Sequence, residues 1–160
     1  MQSCPTTLLH IMSKKMSGMA KTRLEPTRTY FGGRAGLIKF SLHEEGRGTL
    51  LPLYFDTMPF QPCRTFAVSD VPAGTTRGGH SHRDGWQLLI CLNGRIDVLM
   101  RYGSAKVSIS LAQPSLGVTI GAGVWSQQTY MTAGSVLLVF ASEPYDSKSY
   151  DNSDPSLPFQ

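Results

Sequence analysis

Along the middle of the chain, apolar residues come in short runs, and Gly, Pro and Asn punctuate them at intervals typical of an all-β sandwich or barrel. The pattern predicts strands at LIKFSL (37–42), TLLPLYF (49–55), TFAVSD (65–70), WQLLICL (86–92), RIDVLMRY (95–102), KVSISL (106–111), GVTI (117–120) and SVLLVFA (135–141). No stretch sustains a helical period. Asn93-Gly94, the dipeptide favoured in a type I′ hairpin, sits between two apolar runs and predicts a tight turn there. Beyond it Ile96, Val98 and Met100 alternate with Arg95, Asp97 and Arg101, and Val107, Ile109 and Leu111 alternate with Lys106, Ser108 and Ser110. Period two with one polar face is the signature of antiparallel, half-buried sheet.

A chain of 160 residues, 41% hydrophobic and 16% charged, is long enough for a real core and too short for two large domains. The expected organisation is one β domain over 34–150, a flexible N-terminal arm over 1–33 without periodicity, and a flexible, proline-bearing tail over 151–160. The formal charge is +4, but much of the excess sits in Lys14, Lys15, Lys21, Arg23 and Arg28, ahead of the first strand. That is a solvated basic leader, not a nucleic-acid stripe. Three cysteines without a CxxC pair fit a reducing cytoplasm. No segment approaches the ~20 apolar residues of a membrane helix, and no nucleic-acid or membrane partner is expected.

The stretch GTTRGGHSHRDGWQLLICLNG, Gly74 to Gly94, carries the chemistry. On a strand His80 and His82 share a face about 7 Å apart. Gly74, five residues, His80, one residue, His82, four residues, Gln87, six residues and Gly94 make up a spacing that resembles the first signature motif of the cupins, with Gln87 in place of the usual glutamate. The resemblance implies a single-domain, all-β cupin (RmlC-like) jelly-roll barrel. Cupin metal sites need that glutamate and a histidine from a second motif. The other two histidines, His10 and His43, lie upstream, and PSLGVTIGAGVWSQQ has none. Two imidazoles and a neutral amide hold a divalent cation poorly, so no metal and no cofactor are expected. A metal-free imidazole with a pKa near ~6.5 is a natural proton carrier.

TRGGHSH with Gln87, CLNG (91–94), L-x-x-P (111–114), GVW (123–125), LLVFAS (137–142) and YD (145–146) with Tyr150 together resemble the sugar-nucleotide 3,4-ketoisomerases, the FdtA/QdtA or WxcM-like group. The resemblance covers roughly Arg47 to Tyr150. It implies a metal-free jelly roll, a homodimer, and a dTDP-sugar of the dTDP-4-oxo-6-deoxyglucose class in the barrel mouth. The family's catalytic histidines fall on His80 and His82, and its arginines on Arg77, Arg47 and Arg64, whose guanidinium groups suit an oxyanion or a pyrophosphate. Gln87 hydrogen-bonds a sugar hydroxyl or orients a histidine, and Trp125 lines the cavity or packs in the core. Which histidine serves carbon stays open. The chain departs from the family at Phe66 and Ala67, where members tend to carry tyrosines, and at Ser126, where some carry histidine. Two other functions compete with the isomerase. A non-catalytic sugar-nucleotide-binding cupin is favoured by the missing tyrosines, and a metal-dependent cupin oxygenase is disfavoured by Gln87.

Overall fold

The computed structural model describes residues 22–153. In chain order the strands are β1 (Arg28–Tyr30), β2 (Ala35–Lys39), β3 (His43–Glu45), β4 (Gly48–Leu50), β5 (Arg64–Val68), β6 (Thr76–His82), β7 (Trp86–Asn93), β8 (Ile96–Tyr102), β9 (Ala105–Leu111), β10 (Leu116–Gly121), β11 (Trp125–Tyr130), β12 (Val136–Ala141) and β13 (Tyr150–Asp151). Two sheets face each other across a common interior. One runs β1-β2-β10-β7-β12-β5, the other β13-β6-β11-β8-β9, and β3-β4 is a separate hairpin. All pairings are antiparallel, as expected for a jelly roll.

The alternation in β8 is used as the sequence implies, with Ile96, Val98 and Met100 all fully buried in the interior. β7 reads as a continuous apolar run for a different reason: both of its faces are covered. Leu89 and Cys91 point into the intersheet core, whereas Leu88 and Ile90 pack outward against Ile38, Phe40, Met58 and Phe140. Leu24, Leu51, Leu53 and Phe60 close that second cluster over the outside of the six-stranded sheet. Burial on both faces removes any selection for alternation.

Three expectations are corrected. Asn93-Gly94 is not a hairpin turn. Both edges of β7 are already taken by β10 and β12, so the chain crosses to the other sheet, where β8 pairs with β9 and β11. Gly94 keeps φ +78, and a side chain there would collide with Thr132 and Ser135 of the β11–β12 loop. The tight hairpin lies at Gly103-Ser104 instead, between Tyr102 and Ala105. The strand expected over 49–55 ends at Leu50, because Pro52 has no N–H for a ladder. The arm expected over 1–33 divides. Residues 1–21 lie outside the described residues, but Leu24 N–H donates to Thr57 O at 2.7 Å and β1 pairs with β2. At the other end Asp151 pairs with Ser81, and 154–160 again lie outside the described residues.

Candidate active site

β6 supplies the histidines, and two glycines set its geometry. β11 pairs Gln128 with Arg77, Gln127 with Gly78 and Ser126 with His80, so Gly79 is an extra residue, a β-bulge. Side chains alternate along a regular strand, and residues three apart point to opposite faces. The bulge adds one step. Arg77, three residues before His80, therefore joins His80 and His82 on the inward face. Gly78 and Gly79 both have φ +80, in the left-handed region that favours glycine. A Cβ on Gly78 would lie 2.6 Å from Gln128 Oε1 and 3.0 Å from Ser126 O.

The imidazoles of His80 and His82 meet edge to face with centroids 5.0 Å apart. The Tyr150 ring sits against both, at 4.4 and 4.7 Å, carried there by the pairing of Tyr150 with His82. The Gln87 amide Nε2 lies 3.0 Å from His82 Nε2. An amide NH₂ only donates, so His82 accepts at Nε2 and carries its proton on Nδ1. His80 is hydrogen-bonded to the backbone at Gly78. Burial lowers the pKa of both rings. For His82 it falls to about 4, with the charges on His80 and Arg64 adding to desolvation, and for His80 the Gly78 bond offsets part of the effect. Both imidazoles are neutral at pH 7.

A cavity of about 200 Å³ lies against this cluster between the sheets. Its two walls differ. β6 and β11 present Arg77, His80, His82, Ser126, Gln128 and Tyr130, while β5, β7 and β12 present Phe66, Val68, Leu89, Leu137 and Val139, with Gln87 as the polar member of that wall. A second cavity of about 260 Å³ shares His82 and Gln87 and holds Arg64, Trp86 and Glu143. Arg64 Nε donates to Glu143 O at 3.1 Å, and its guanidinium lies over Phe66 and Tyr145.

The fold thus brings together His80, His82, Arg77, Gln87 and Arg64. It does not bring in Arg47, whose side chain stands 87% exposed in the β3–β4 turn beside Glu45. Trp125 is buried, but β11 turns it away from Ser126, Gln128 and Tyr130. It lies under the Arg101 guanidinium, against the back of the bulge at Gly79. Of the two departures in β5, only Phe66 faces the cavity, since alternation points Ala67 outward. Sequence reasoning did not assign Tyr150, Gln128 or Tyr130 to the site. Tyr150 had a signal in its place after the YD motif, whereas the β11 pair needed the strand to be recognised first.

The donor set does not fit a divalent cation. The His82 Nε2 lone pair is engaged by Gln87, and among the described residues no three His, Cys, Asp or Glu side chains gather as metal ligands.

Residues 34–155 match the family model described as FdtA, WxcM-like, C-terminal. A TDP-4-oxo-6-deoxy-alpha-D-glucose-3,4-oxoisomerase of Aneurinibacillus thermoaerophilus is 30% identical over 115 residues, 71% of this chain and 83% of that protein. The sugar 3,4-ketoisomerase QdtA of Thermoanaerobacterium thermosaccharolyticum, solved with TDP, superposes with a TM-score of 0.72 at 37% identity, covering 75% of this chain and 88% of that one. The WlaRB TDP-quinovose 3,4-ketoisomerase of Campylobacter jejuni gives 0.70 at 28%, over 74% and 92%. A dTDP-4-dehydrorhamnose 3,5-epimerase of Bacillus anthracis, at 14% identity and a TM-score of 0.69, shares the fold, which is the RmlC-like cupin jelly roll. With the bulged histidine strand, Gln87 and the intersheet cavity in the same chain as these matches, the protein belongs to the FdtA, WxcM-like C-terminal family.

Proposed function

We propose that the protein is a TDP-4-oxo-6-deoxyhexose 3,4-ketoisomerase. The observation that carries the reading is the pair of neutral imidazoles, His80 and His82, held on one face of a cavity in a chain of this family. Moving an oxo group from C4 to C3 requires a base to take the C3 proton. The C–H electron pair becomes the C3=C4 bond of an enediolate as the C4 carbonyl opens. Loss of the O3 proton then closes the C3 carbonyl while C4 is protonated, so the reaction consumes no oxidant and no reductant.

The hydrogen bonds divide the labour. The bond of His80 to the Gly78 backbone uses one ring N–H and leaves the other nitrogen as a free lone pair, which makes His80 the carbon base. With Nε2 occupied by Gln87, His82 offers Nδ1–H to a developing oxyanion. Arg77 and Arg64, at the two cavities, supply fixed charge for the enediolate or the diphosphate. No step needs a metal, and the lack of a fitting donor set supports a metal-independent enzyme.

We also propose a homodimer, because β9 and β5 leave sheet edges that a symmetric partner commonly covers. A monomer mass by light scattering would contradict it. Among the described residues Cys63, exposed, and Cys91, buried, are free thiols, which supports a cytoplasmic location, and no helix there is long and apolar enough to cross a membrane. The product feeds deoxysugar and polysaccharide synthesis.

Protein given TDP-4-oxo-6-deoxyglucose in heavy water is expected to wash deuterium into the ring and form the 3-oxo isomer. A second reading, a binding module without catalysis, draws on the absence of a phenol at Phe66. Binding of the nucleotide sugar without deuterium exchange would replace the isomerase by that reading.

A further inference from the structure

Tyr130 closes β11 and lines the same cavity as His80 and His82. Its relative exposure is 0%, and its Oη has no hydrogen-bond partner among the described residues. The wall opposite is Phe66, Val68, Leu89, Leu137 and Val139, with Gln87 as its polar member, and no atom of it reaches Oη as a hydrogen-bond partner. A buried hydroxyl without a partner destabilises a fold, and a phenylalanine of the same shape would avoid that penalty. The chain nevertheless keeps the oxygen. Burial pushes the Tyr130 pKa up, and the charge on Arg77 opposes this only in part, so the group stays a neutral O–H donor.

No acceptor on the wall reaches it: the Gln128 amide is turned to Ser126, its Nε2 donating to Ser126 Oγ at 3.2 Å, and Arg77 is a cation with no acceptor to offer. The hydrogen bond that Oη lacks must come from a molecule in the cavity. A largely apolar wall opposite a polar one suits a 6-deoxyhexose, which carries a methyl group and a set of oxygens.

We infer that Tyr130 is a specificity-determining residue of the hexose pocket, its Oη donating a hydrogen bond to an oxygen of the bound sugar. This rests on the sugar-nucleotide reading above and adds to it the residue that tells the hexose from the bare nucleotide. The nucleotide is common to product, substrate and TDP alike. In this reading the hexose, not the nucleotide, lies in the cavity that Tyr130 lines with the histidines.

Tyr130→Phe removes the oxygen and keeps the ring. The probes are TDP and TDP-6-deoxyglucose, which has no oxo group and is not turned over, titrated calorimetrically into wild type and variant. Affinity for TDP-6-deoxyglucose is expected to fall about 10-fold, as for loss of one well-made hydrogen bond. Affinity for TDP is expected to stay the same, and the thermal midpoint to stay the same or rise. Equal affinity of both proteins for TDP-6-deoxyglucose overturns the inference, as does a parallel loss on TDP. A lower thermal midpoint also overturns it, because it would show that Oη already has a partner inside the fold. A wild-type protein that binds neither probe fails the sugar-nucleotide reading itself, which the comparison of variant with wild type does not test.

Discussion

The two walls of the cavity are built to different rules. The wall from β5, β7 and β12 is a continuation of the hydrophobic core, with Leu89, Leu137 and Val139 no more than 3% exposed. The wall from β6 and β11 breaks the rules that a core enforces. It buries Ser126 and Gln128, carries a bulge with two left-handed glycines, and holds two imidazoles uncharged. Packing can explain every apolar residue of the first wall, and its one polar member, Gln87, reaches across to His82. The second makes sense only with a polar molecule between the sheets, and the costs it carries mark where chemistry has overridden stability.

The strongest way to break the contrast is to remove the base from the polar wall. His80→Asn keeps the hydrogen bonding but cannot transfer the proton, so deuterium exchange is expected to fall about 100-fold or more while TDP binding persists. Exchange at the wild-type rate would move the base elsewhere on that wall.

Next in size is the bulge. Gly78→Ala adds left-handed strain of about 1–2 kcal/mol and a clash with Gln128 Oε1 and Ser126 O. Urea unfolding is expected to show a loss of about 2–3 kcal/mol. Gly79 has the same φ, but its nearest atom is Trp125 Cζ2 at 3.9 Å. Gly79→Ala is expected to cost only the backbone strain of about 1 kcal/mol, and equal losses for the two would refute the crowding argument.

The smallest effect sharpens the electrostatics. Gln87→Glu puts a carboxylate beside His82 and favours the imidazolium, lifting its pKa from about 4 toward the ordinary 6.5. In the wild type, the unfolded chain takes up the proton first as pH falls. The stability linked to His82 is therefore present above about 6.5 and lost on the way down to about 4. The variant is expected to lose less stability than the wild type between about pH 6.5 and about 4, read by urea unfolding at each pH. Equal losses would mean that Gln87 does not govern the protonation of His82.

The contrast also decides what was legible in the sequence. β8 and β9 show their alternation because only one face is core, whereas β7 and β12 stand out as apolar runs because both of their faces are covered. β11 reads Trp-Ser-Gln-Gln-Thr-Tyr and gives no such signal, because the face it turns inward meets the cavity instead of the core. The common face of His80 and His82 follows from a spacing of two. That of Arg77 depends on a bulge whose position only the pairing with β11 fixes. Asn93-Gly94 misleads because local turn preference says nothing of whether the strand before it has a free edge, and Tyr150 reaches the histidines through a pairing distant in sequence.

The extra residue in β6 has a consequence for how such a site can change by descent. Substitution alters one side chain at a time, but losing a single glycine codon here would reverse the phase of everything before the bulge. Arg77 would turn to the outside while His80 and His82, held by β11 and β13, stayed where they are. A one-codon deletion can therefore separate the cation from the bases without touching either. The length of this strand is therefore as informative as its letters.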